Sequence, residues 1–162
     1  MGTVHGANET LTRSSRAAAE QFWTAVGFRE MVNDAKSSGR GFWLSFQFKL
    51  KGYTTQLSLV ADHKDGKLWL SVFLHLCPGS KDKSLAWPFR TPFTLSIVHP
   101  TNASKTVSKT FEKFGDGDSR AFQMPSSKCN NGRGFRLITV ADAEQDGYVF
   151  SNAVAVSVQL RS

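Results

Sequence analysis

The sequence predicts an all-β protein, an antiparallel β-sandwich of about eight short strands, and three observations carry that prediction. Aliphatic residues occupy every second position from Leu68 to Leu76. The same alternation recurs from Phe93 to Ile97 and from Val154 to Leu160. Because successive side chains of a strand point to opposite faces, a period of two indicates strands with one apolar face. Turn dipeptides such as Asp65-Gly66 separate the alternating runs, which is typical of hairpins.

The elements follow in chain order. A first strand from Phe22 to Phe28 precedes a polar stretch from Arg29 to Gly41, which the pattern leaves without a regular element. The second strand spans Phe42 to Leu50. Its large apolar residues occupy every second position, so we expect them on one face. Further strands are predicted at 52–61, 67–76, 93–99, 107–111, 135–140 and 148–160, with a loop-rich region at 115–134.

A chain of 162 residues is long enough to close one hydrophobic core. We assign residues 21–162 to a single β-sandwich domain and residues 1–20 to a lead-in that could be the end of a helix, capped by Ser14 or Ser15. No stretch approaches the ~18 apolar residues that would span a bilayer, and the N-terminus lacks the apolar core of a signal peptide. The sequence therefore predicts no membrane insertion and a cytoplasmic location.

Side chains capable of chemistry are sparse. Cys77 and Cys129 are too few for a disulfide framework, and we expect two free thiols. The four histidines have no neighbouring acid or Ser/Cys arrangement that indicates a triad or a metal site. Asp116-Gly117-Asp118 lacks the rest of a calcium loop. The sequence thus predicts no catalytic residues, no metal, no cofactor and no enzymatic activity.

The formal net charge of +7 is the bulk property that points to a partner. A basic surface favours acidic ligands, so a β-domain that binds nucleic acid or another polyanion is the alternative function. Against it, the lysines are scattered along the chain and no aromatic stacking platform flanked by lysines is visible. Nucleic acid is therefore the less favoured partner.

Several patterns occur in the order and at the spacings found in the C-terminal domain of the tumour-necrosis-factor-receptor-associated factors. They are Gly52-Tyr53, Leu70-Ser71-Val72-Phe73, Trp87-Pro88-Phe89, Ala121-Phe122-Gln123-Met124-Pro125 and Gly132-Arg133-Gly134-Phe135. From about Gln21 to Leu160 the chain resembles this TRAF-type MATH domain. The resemblance implies a non-enzymatic adaptor domain that docks an extended peptide on a sheet edge, as in TRAF-type signalling or ubiquitin-ligase adaptors. The implied partner is a segment of a receptor tail or adaptor protein, and a preceding coiled coil, largely absent here, could form a homotrimer.

The resemblance also implies a peptide-binding surface. Carried over by alignment of Gly52-Tyr53 and Leu70-Ser71, it falls on Ser58, Val60, Asp62, Val72, Phe111, Ser119, Arg120, Ala121, Asn131 and Gly132. Ser58 and Val60 stand where well-known members of the family place Arg and Tyr, and of a serine cluster only Ser119 remains. The groove is therefore expected to persist without the family's preference for acidic peptides.

Other side chains near these positions admit two readings. Trp87, Phe89 and Phe122 are predicted to anchor the core at one end of the sandwich. Trp69 and Phe73 could pack beneath neighbouring elements or form part of the groove floor. The guanidinium groups of three arginines are candidates for binding a carboxylate, against the commoner solvated state: Arg120, Arg133 and Arg136.

Overall fold

The computed structural model describes residues 19–161 and shows two antiparallel sheets packed face to face. The strands are β1 (Glu20–Val26), β2 (Arg40–Leu44), β3 (Phe48–Leu50), β4 (Tyr53–Lys64), β5 (Lys67–Leu76), β6 (Phe93–Val98), β7 (Val107–Phe111), β8 (Arg133–Thr139), β9 (Val149–Phe150) and β10 (Ala153–Leu160). The helices are α1 (Phe28–Ser38), α2 (Ser119–Phe122) and α3 (Val140–Gln145), with short 3₁₀ turns at Asp82–Ser84, Ala103–Lys105 and Asp116–Asp118. The predicted antiparallel β-sandwich is confirmed.

The first sheet has the strand order β1-β10-β6-β7, with β9 beside β10. The second sheet has the order β2-β4-β5-β8, with β3 beside β4. Strand β8 therefore forms one margin of the second sheet and β2 forms the other. No helix in residues 19–161 has the length and apolar run needed to cross a bilayer.

The core lies where the alternating residues of both sheets meet. Leu70 and Val72 of β5, Leu95 of β6 and Val156 of β10 are each 0 % exposed. The aromatic anchors predicted at one end of the sandwich also pack there: Phe89 and Phe122 are buried, and Trp87 is partly buried against the Tyr53 ring. Burial of these side chains is the main stabilising contribution to the fold.

The polar stretch after β1 is a helix, which the sequence analysis missed. Four apolar residues of α1 recur at the helical spacing and are buried: Phe28, Met31, Val32 and Ala35. The helix ends at Gly39, whose positive φ of 93° lets its N–H donate to the Ala35 carbonyl at 2.9 Å. Charged and polar residues lie between the four buried ones, so the mean polarity of the segment does not indicate a helix with one apolar face.

The expectation of one apolar face from Phe42 to Leu50 is wrong. Phe42 is 52 % exposed, whereas Phe48 and Leu50 are buried. The strand is interrupted after Leu44: the Ser45 N–H donates to the Leu57 carbonyl at 2.8 Å, and the Ser45 hydroxyl accepts from the Leu57 N–H at 2.9 Å. This local insertion reverses the parity, so Phe42, Leu44 and Phe46 project outward.

The C-terminal part also differs from the prediction. The segment after β8 turns into α3, and the single strand expected from Tyr148 is a hairpin of β9 and β10. Ser151 and Asn152 form its turn with φ of 51° and 59°, as a tight hairpin requires. The hairpin predicted at Asp65-Gly66 is confirmed, with φ of 54° and 77°. The lead-in predicted for 1–20 lies outside the described residues except for Ala19 and Glu20, and Glu20 already begins β1.

Candidate functional site

The outer face of the second sheet, directed away from the core, carries three of the predicted binding residues. Ser58, Val60 and Asp62 alternate with core residues along β4. Across β5 they stand opposite Phe73, Ser71 and Trp69. Ser58 and Val60 are only 4 % and 3 % exposed because the larger side chains around them cover them. They form the floor of this face.

Val72 does not belong to that face. Its side chain is 0 % exposed and packs into the core with Leu70 and Leu74. Phe73, the next residue, points outward and stands directly opposite Ser58. The outer face therefore has an aromatic residue next to the position where the alignment had placed Val72.

A buried hydrogen-bond chain joins β4 to the loop before β8. His75 Nδ1 lies 3.0 Å from the Asn130 carbonyl oxygen, and since a carbonyl only accepts, Nδ1 carries the proton. His75 Nε2 then accepts from the Ser58 hydroxyl, 2.8 Å away. Burial lowers the pKa of the His75 imidazole below its usual 6.5, and the bond to the Asn130 carbonyl partly opposes that shift. The imidazole is thus neutral at pH 7.

The same loop is tied to α2. The Asn130 carboxamide donates to the carbonyls of Ala121 and Gln123 at 3.1 and 2.9 Å. Gly132 lies against the His75 ring so closely that a Cβ there would stand 2.7 Å from a ring carbon. The structure therefore brings Ala121, Asn131 and Gly132 to the end of the outer face nearest Ser58.

A disulfide fixes the start of this loop and corrects the prediction of free thiols. Cys77 and Cys129 are bonded although 52 residues separate them. Cys77 directly follows β5 and Cys129 precedes β8, and these two strands are neighbours. Since Leu74 pairs with Arg133, extending the register places Cys77 opposite Asn130, next to Cys129. This pairing is non-local, so the spacing of the cysteines gave no sign of it.

Helix α2 borders the site on one side. Ser119 and Arg120 are exposed, whereas Ala121 is 3 % exposed and packs into the core. Arg133 is already engaged: its Nε donates to Asp118 at 2.7 Å and its Nη2 to the Gly117 carbonyl at 3.1 Å. The hydrogen bond from Arg133 lowers the pKa of Asp118 below its usual 3.8, aided by the Gly115 N–H. Of these two arginines, Arg120 is the one left exposed to bind a partner.

Phe111, at the end of β7, lies on the far side of β8 from the floor residues. It stacks on Phe93 at 5.2 Å and contacts the rings of Phe122 and Phe135 at 5.4 and 6.0 Å. A cleft of about 270 Å³ opens beside it, lined by Thr110, Phe111, Glu112, Lys113 and Phe135. Phe111 therefore lines the margin of β8 and is not part of the outer face.

The free margin of β8 runs between these groups. Arg136 lies in mid-strand opposite Ser71, and its carbonyl accepts from the Lys109 ammonium of β7 at 3.2 Å. A carbonyl that reaches a lysine of the other sheet is directed away from β5, and by the alternation of an antiparallel ladder the Gly134 carbonyl and N–H point the same way. Polar main-chain groups therefore line an open strand edge.

The contacts described so far hold the strands and loops of this region in place. The Ser58–His75 pair is oriented by a main-chain carbonyl, and Ser58 is almost inaccessible. Among residues 19–161, no three His, Cys, Asp or Glu side chains converge as metal ligands would. Sequence reasoning missed His75 and Asn130 as organisers of this site, because only the β4–β5–β8 pairing reveals them.

Comparisons with known proteins agree with this fold. The family model described as the TRAF/meprin MATH domain matches residues 42–157. TRAF5 of the fish Notothenia coriiceps superimposes with a TM-score of 0.75 at 23 % sequence identity, over 96 % of this chain and 83 % of that chain. Comparison with curated proteins gives no match. The structural likeness supports the fold, and the family model supports membership.

Proposed function

This chain belongs to the TRAF/meprin family of MATH domains, which are protein-interaction domains, and we propose that it docks an extended segment of a partner protein along the free margin of β8. The observation that carries the proposal is the position of β8. It is the last strand of the second sheet, paired on one side with β5 and flanked by the predicted binding residues of α2 and the loop at Asn131. An added strand would complete the ladder there.

Main-chain hydrogen bonds would supply affinity that does not depend on the partner's sequence. The outward N–H and C=O groups of Gly134 and Arg136 are the donors and acceptors for such a ladder. Gly134 allows β8 to approach β5 closely, since a Cβ there would stand 1.8 Å from the Val72 carbonyl oxygen. To dock fully, the partner would replace the Lys109 ammonium at the Arg136 carbonyl.

Selectivity would come from side chains that reach the outer face. Phe42 and Leu44 of β2 are half exposed but lie at the opposite margin of the sheet, so beside β8 the selectivity would come from the cleft lined by Phe111 and Phe135. Without Arg and Tyr at the positions of Ser58 and Val60, that part of the face offers no cation for an acidic side chain. The contact is small, so we expect micromolar affinity, about −8 kcal/mol, which oligomerisation of the parent protein would raise by avidity.

Peptides selected from a random phage-displayed library would test the docking site. Titrated into isotopically labelled protein, they should shift the amide signals of Gly134, Arg136 and Asn131. Methylation of the peptide nitrogens that face β8 should abolish binding. Methylation of the nitrogens at the intervening positions should leave the affinity unchanged. Shifts confined to β2 or to the first sheet would refute docking at β8.

The net charge of +7 supports polyanion binding as a competing function. Such binding should weaken with salt at a log–log slope of about −0.9 per phosphate neutralised on duplex DNA. The absence of retention on heparin at moderate salt would exclude it. Peptide docking on main-chain groups should respond far less to salt.

We further propose that the domain acts in a signalling or ubiquitin-ligase adaptor and that a preceding coiled coil makes the parent protein a trimer. A cytoplasmic location remains the expectation from the sequence. The disulfide bears on it, because thiols are kept reduced in the cytosol unless they sense redox state. Fractionating cells that express the parent protein, with thiol trapping, would report location and redox state together.

A further inference from the structure

The loop at residues 123–132 joins α2 to β8 and carries two of the predicted binding residues, Asn131 and Gly132. Its middle part, residues 126–128, is exposed, whereas Cys129 and Gly132 are partly covered. The bond from Cys129 to Cys77 ties the loop to the end of β5. The covalent tie therefore lies directly beside the first residues of the docking margin.

The residue next to the tie makes most of the hydrogen bonds of the loop. The Asn130 N–H donates to the Leu76 carbonyl at 2.8 Å, and the Asn130 carbonyl accepts from His75 Nδ1 at 3.0 Å. Its carboxamide donates to two carbonyls at the end of α2, at 3.1 and 2.9 Å. Because Cys129 is the adjacent residue, the disulfide keeps Asn130 within reach of all these partners.

Reduction would change what holds the loop. With the bond intact, a broken hydrogen bond at Asn130 re-forms, since the chain beside it stays fixed to β5. Without the bond, the hydrogen bonds alone oppose the conformational entropy that the loop gains when it is released. The loop would then open by itself, while the sandwich stays folded.

One sulfur of the bond is accessible to a reductant. Cys77 is 1 % exposed, whereas Cys129 is partly exposed and follows the exposed Lys128. A thiolate of a cellular dithiol would attack Cys129 Sγ, break the S–S bond and release Cys77 as a thiolate, which takes up a proton. The second thiol of the reductant would then displace Cys129 and leave as a disulfide, so that two electrons pass to the protein.

We infer that the Cys77–Cys129 bond is a redox switch for docking on β8. In the oxidised form the loop is ordered and presents Asn131 and Gly132 beside the margin. In the reduced form the loop opens and a docked segment loses these contacts. The inference rests on the proposed function and adds a regulation to it. In a reducing compartment, a disulfide of this kind persists where it responds to oxidation.

The test uses peptides selected from the phage-displayed library on the oxidised domain. Calorimetry with and without a phosphine reductant should show about tenfold weaker binding to the reduced form, as expected if its loop is ordered about a tenth of the time. Amide hydrogen exchange gives a second readout. The exchange rate of the Asn130 N–H, relative to that of the Cys77 N–H bonded to the Thr54 carbonyl at 2.8 Å, should rise about tenfold on reduction.

Two variants separate the switch from a general loss of stability. Cys77→Ala/Cys129→Ala should have the affinity and the exchange ratio of the reduced form, with or without the reductant. Leu95→Ala removes a side chain of β6 that is 0 % exposed in the first sheet. It should lower the melting temperature as reduction does, because it leaves a cavity, while both the affinity and the exchange ratio stay unchanged.

The outcomes distinguish the two proposals. If the oxidised and reduced forms bind the peptides equally, or the exchange ratio does not change, the switch is refuted and docking stands. If reduction unfolds the whole sandwich at the temperature of the binding assay, the bond is a structural crosslink and the switch is equally refuted. If no peptide binds the oxidised domain, or bound peptides shift only amides far from β8, docking is refuted and the switch with it.

Discussion

Removing the Cys77–Cys129 disulfide should destabilise the domain by an amount set by the length of chain that it closes. The bond joins residues 52 apart. In the chain-entropy treatment, a loop of that length loses about 14 cal/mol/K in the unfolded state, or about 4 kcal/mol at 25 °C. For a domain of this size that corresponds to a fall of about 12 °C in the melting temperature.

Calorimetry and urea unfolding of the wild type, with and without a phosphine reductant, would measure this difference without any substitution. The Cys77→Ala/Cys129→Ala variant is the matched control and should be insensitive to the reductant. Its own melting temperature should fall close to that of the reduced wild type, with a small further loss because Cys77 is 1 % exposed and packs in the interior. Far-UV circular dichroism should show the same strand content in all forms.

Two results would refute the reasoning. If thiol titration of the oxidised, unfolded protein finds two reactive thiols, the bond is absent and the sequence-based expectation was right. If the bond is present but its reduction changes the melting temperature by less than about 2 °C, the unfolded chain was already compact and loop closure contributes little.

Three further perturbations have signs that the structure fixes. Gly134→Ala should destabilise by several kcal/mol in urea unfolding because its Cβ would lie 1.8 Å from the Val72 carbonyl oxygen, whereas Gly66→Ala, with nothing within 4 Å, should be limited to the cost of its positive φ, about 1 kcal/mol. Because the pKa of His75 is lowered in the folded state, the unfolded state binds the proton more readily. The contribution of His75 to stability should therefore be complete above pH 6.5 and fall as the pH drops through the lowered pKa. The variant His75→Gln should lose this pH dependence, and the control His63→Gln should keep it. Phe122→Ala should cost about 3–5 kcal/mol in the same unfolding assay, since the ring is 3 % exposed and contacts four other phenylalanines, while Phe150→Ala, at 70 % exposure, should cost less than about 1 kcal/mol.

The sequence predicts the fold correctly wherever the local alternation of apolar residues is regular. The strands from Leu68 to Leu76 and from Val154 to Leu160 were predicted correctly because alternate residues are buried in the core while those between them are, for the most part, less completely covered. The prediction failed where a single residue shifted the phase. Between Leu44 and Phe48, one inserted position turned three apolar side chains outward, and no count of alternate residues can reveal an insertion held by the Ser45–Leu57 bonds.

Helix α1 was not predicted, for a different reason. Its buried residues Phe28, Met31, Val32 and Ala35 have the helical spacing, so the signal was present in the sequence. Charged and polar residues fill the intervening positions, as expected of a helix with one exposed face. The mean polarity of the segment predicts a connection, whereas the spacing of its apolar residues predicts a helix.

The binding site was less predictable than the fold because strand pairing creates it. The resemblance located β4, α2 and the loop before β8, yet the alignment chose Val72 where the pleat turns Phe73 outward. His75 and Asn130, which hold these segments together, lie 55 residues apart and become neighbours only through the β5–β8 ladder. The disulfide arises from the same ladder, so these two features share one non-local cause.

The pairing of β4, β5 and β8 also affects selectivity. The floor residues Ser58 and Val60 are small and covered, so they contribute shape, and the Ser58 hydroxyl already serves the His75 ring. Any discrimination must come from groups that a segment beside β8 can still contact, and the cleft lined by Phe111 and Phe135 at that margin is such a site. A cleft bordered by two aromatic rings favours a segment that places an apolar side chain there. Binding through it should therefore depend on shape and hydrogen bonding far more than on the net charge of the two partners.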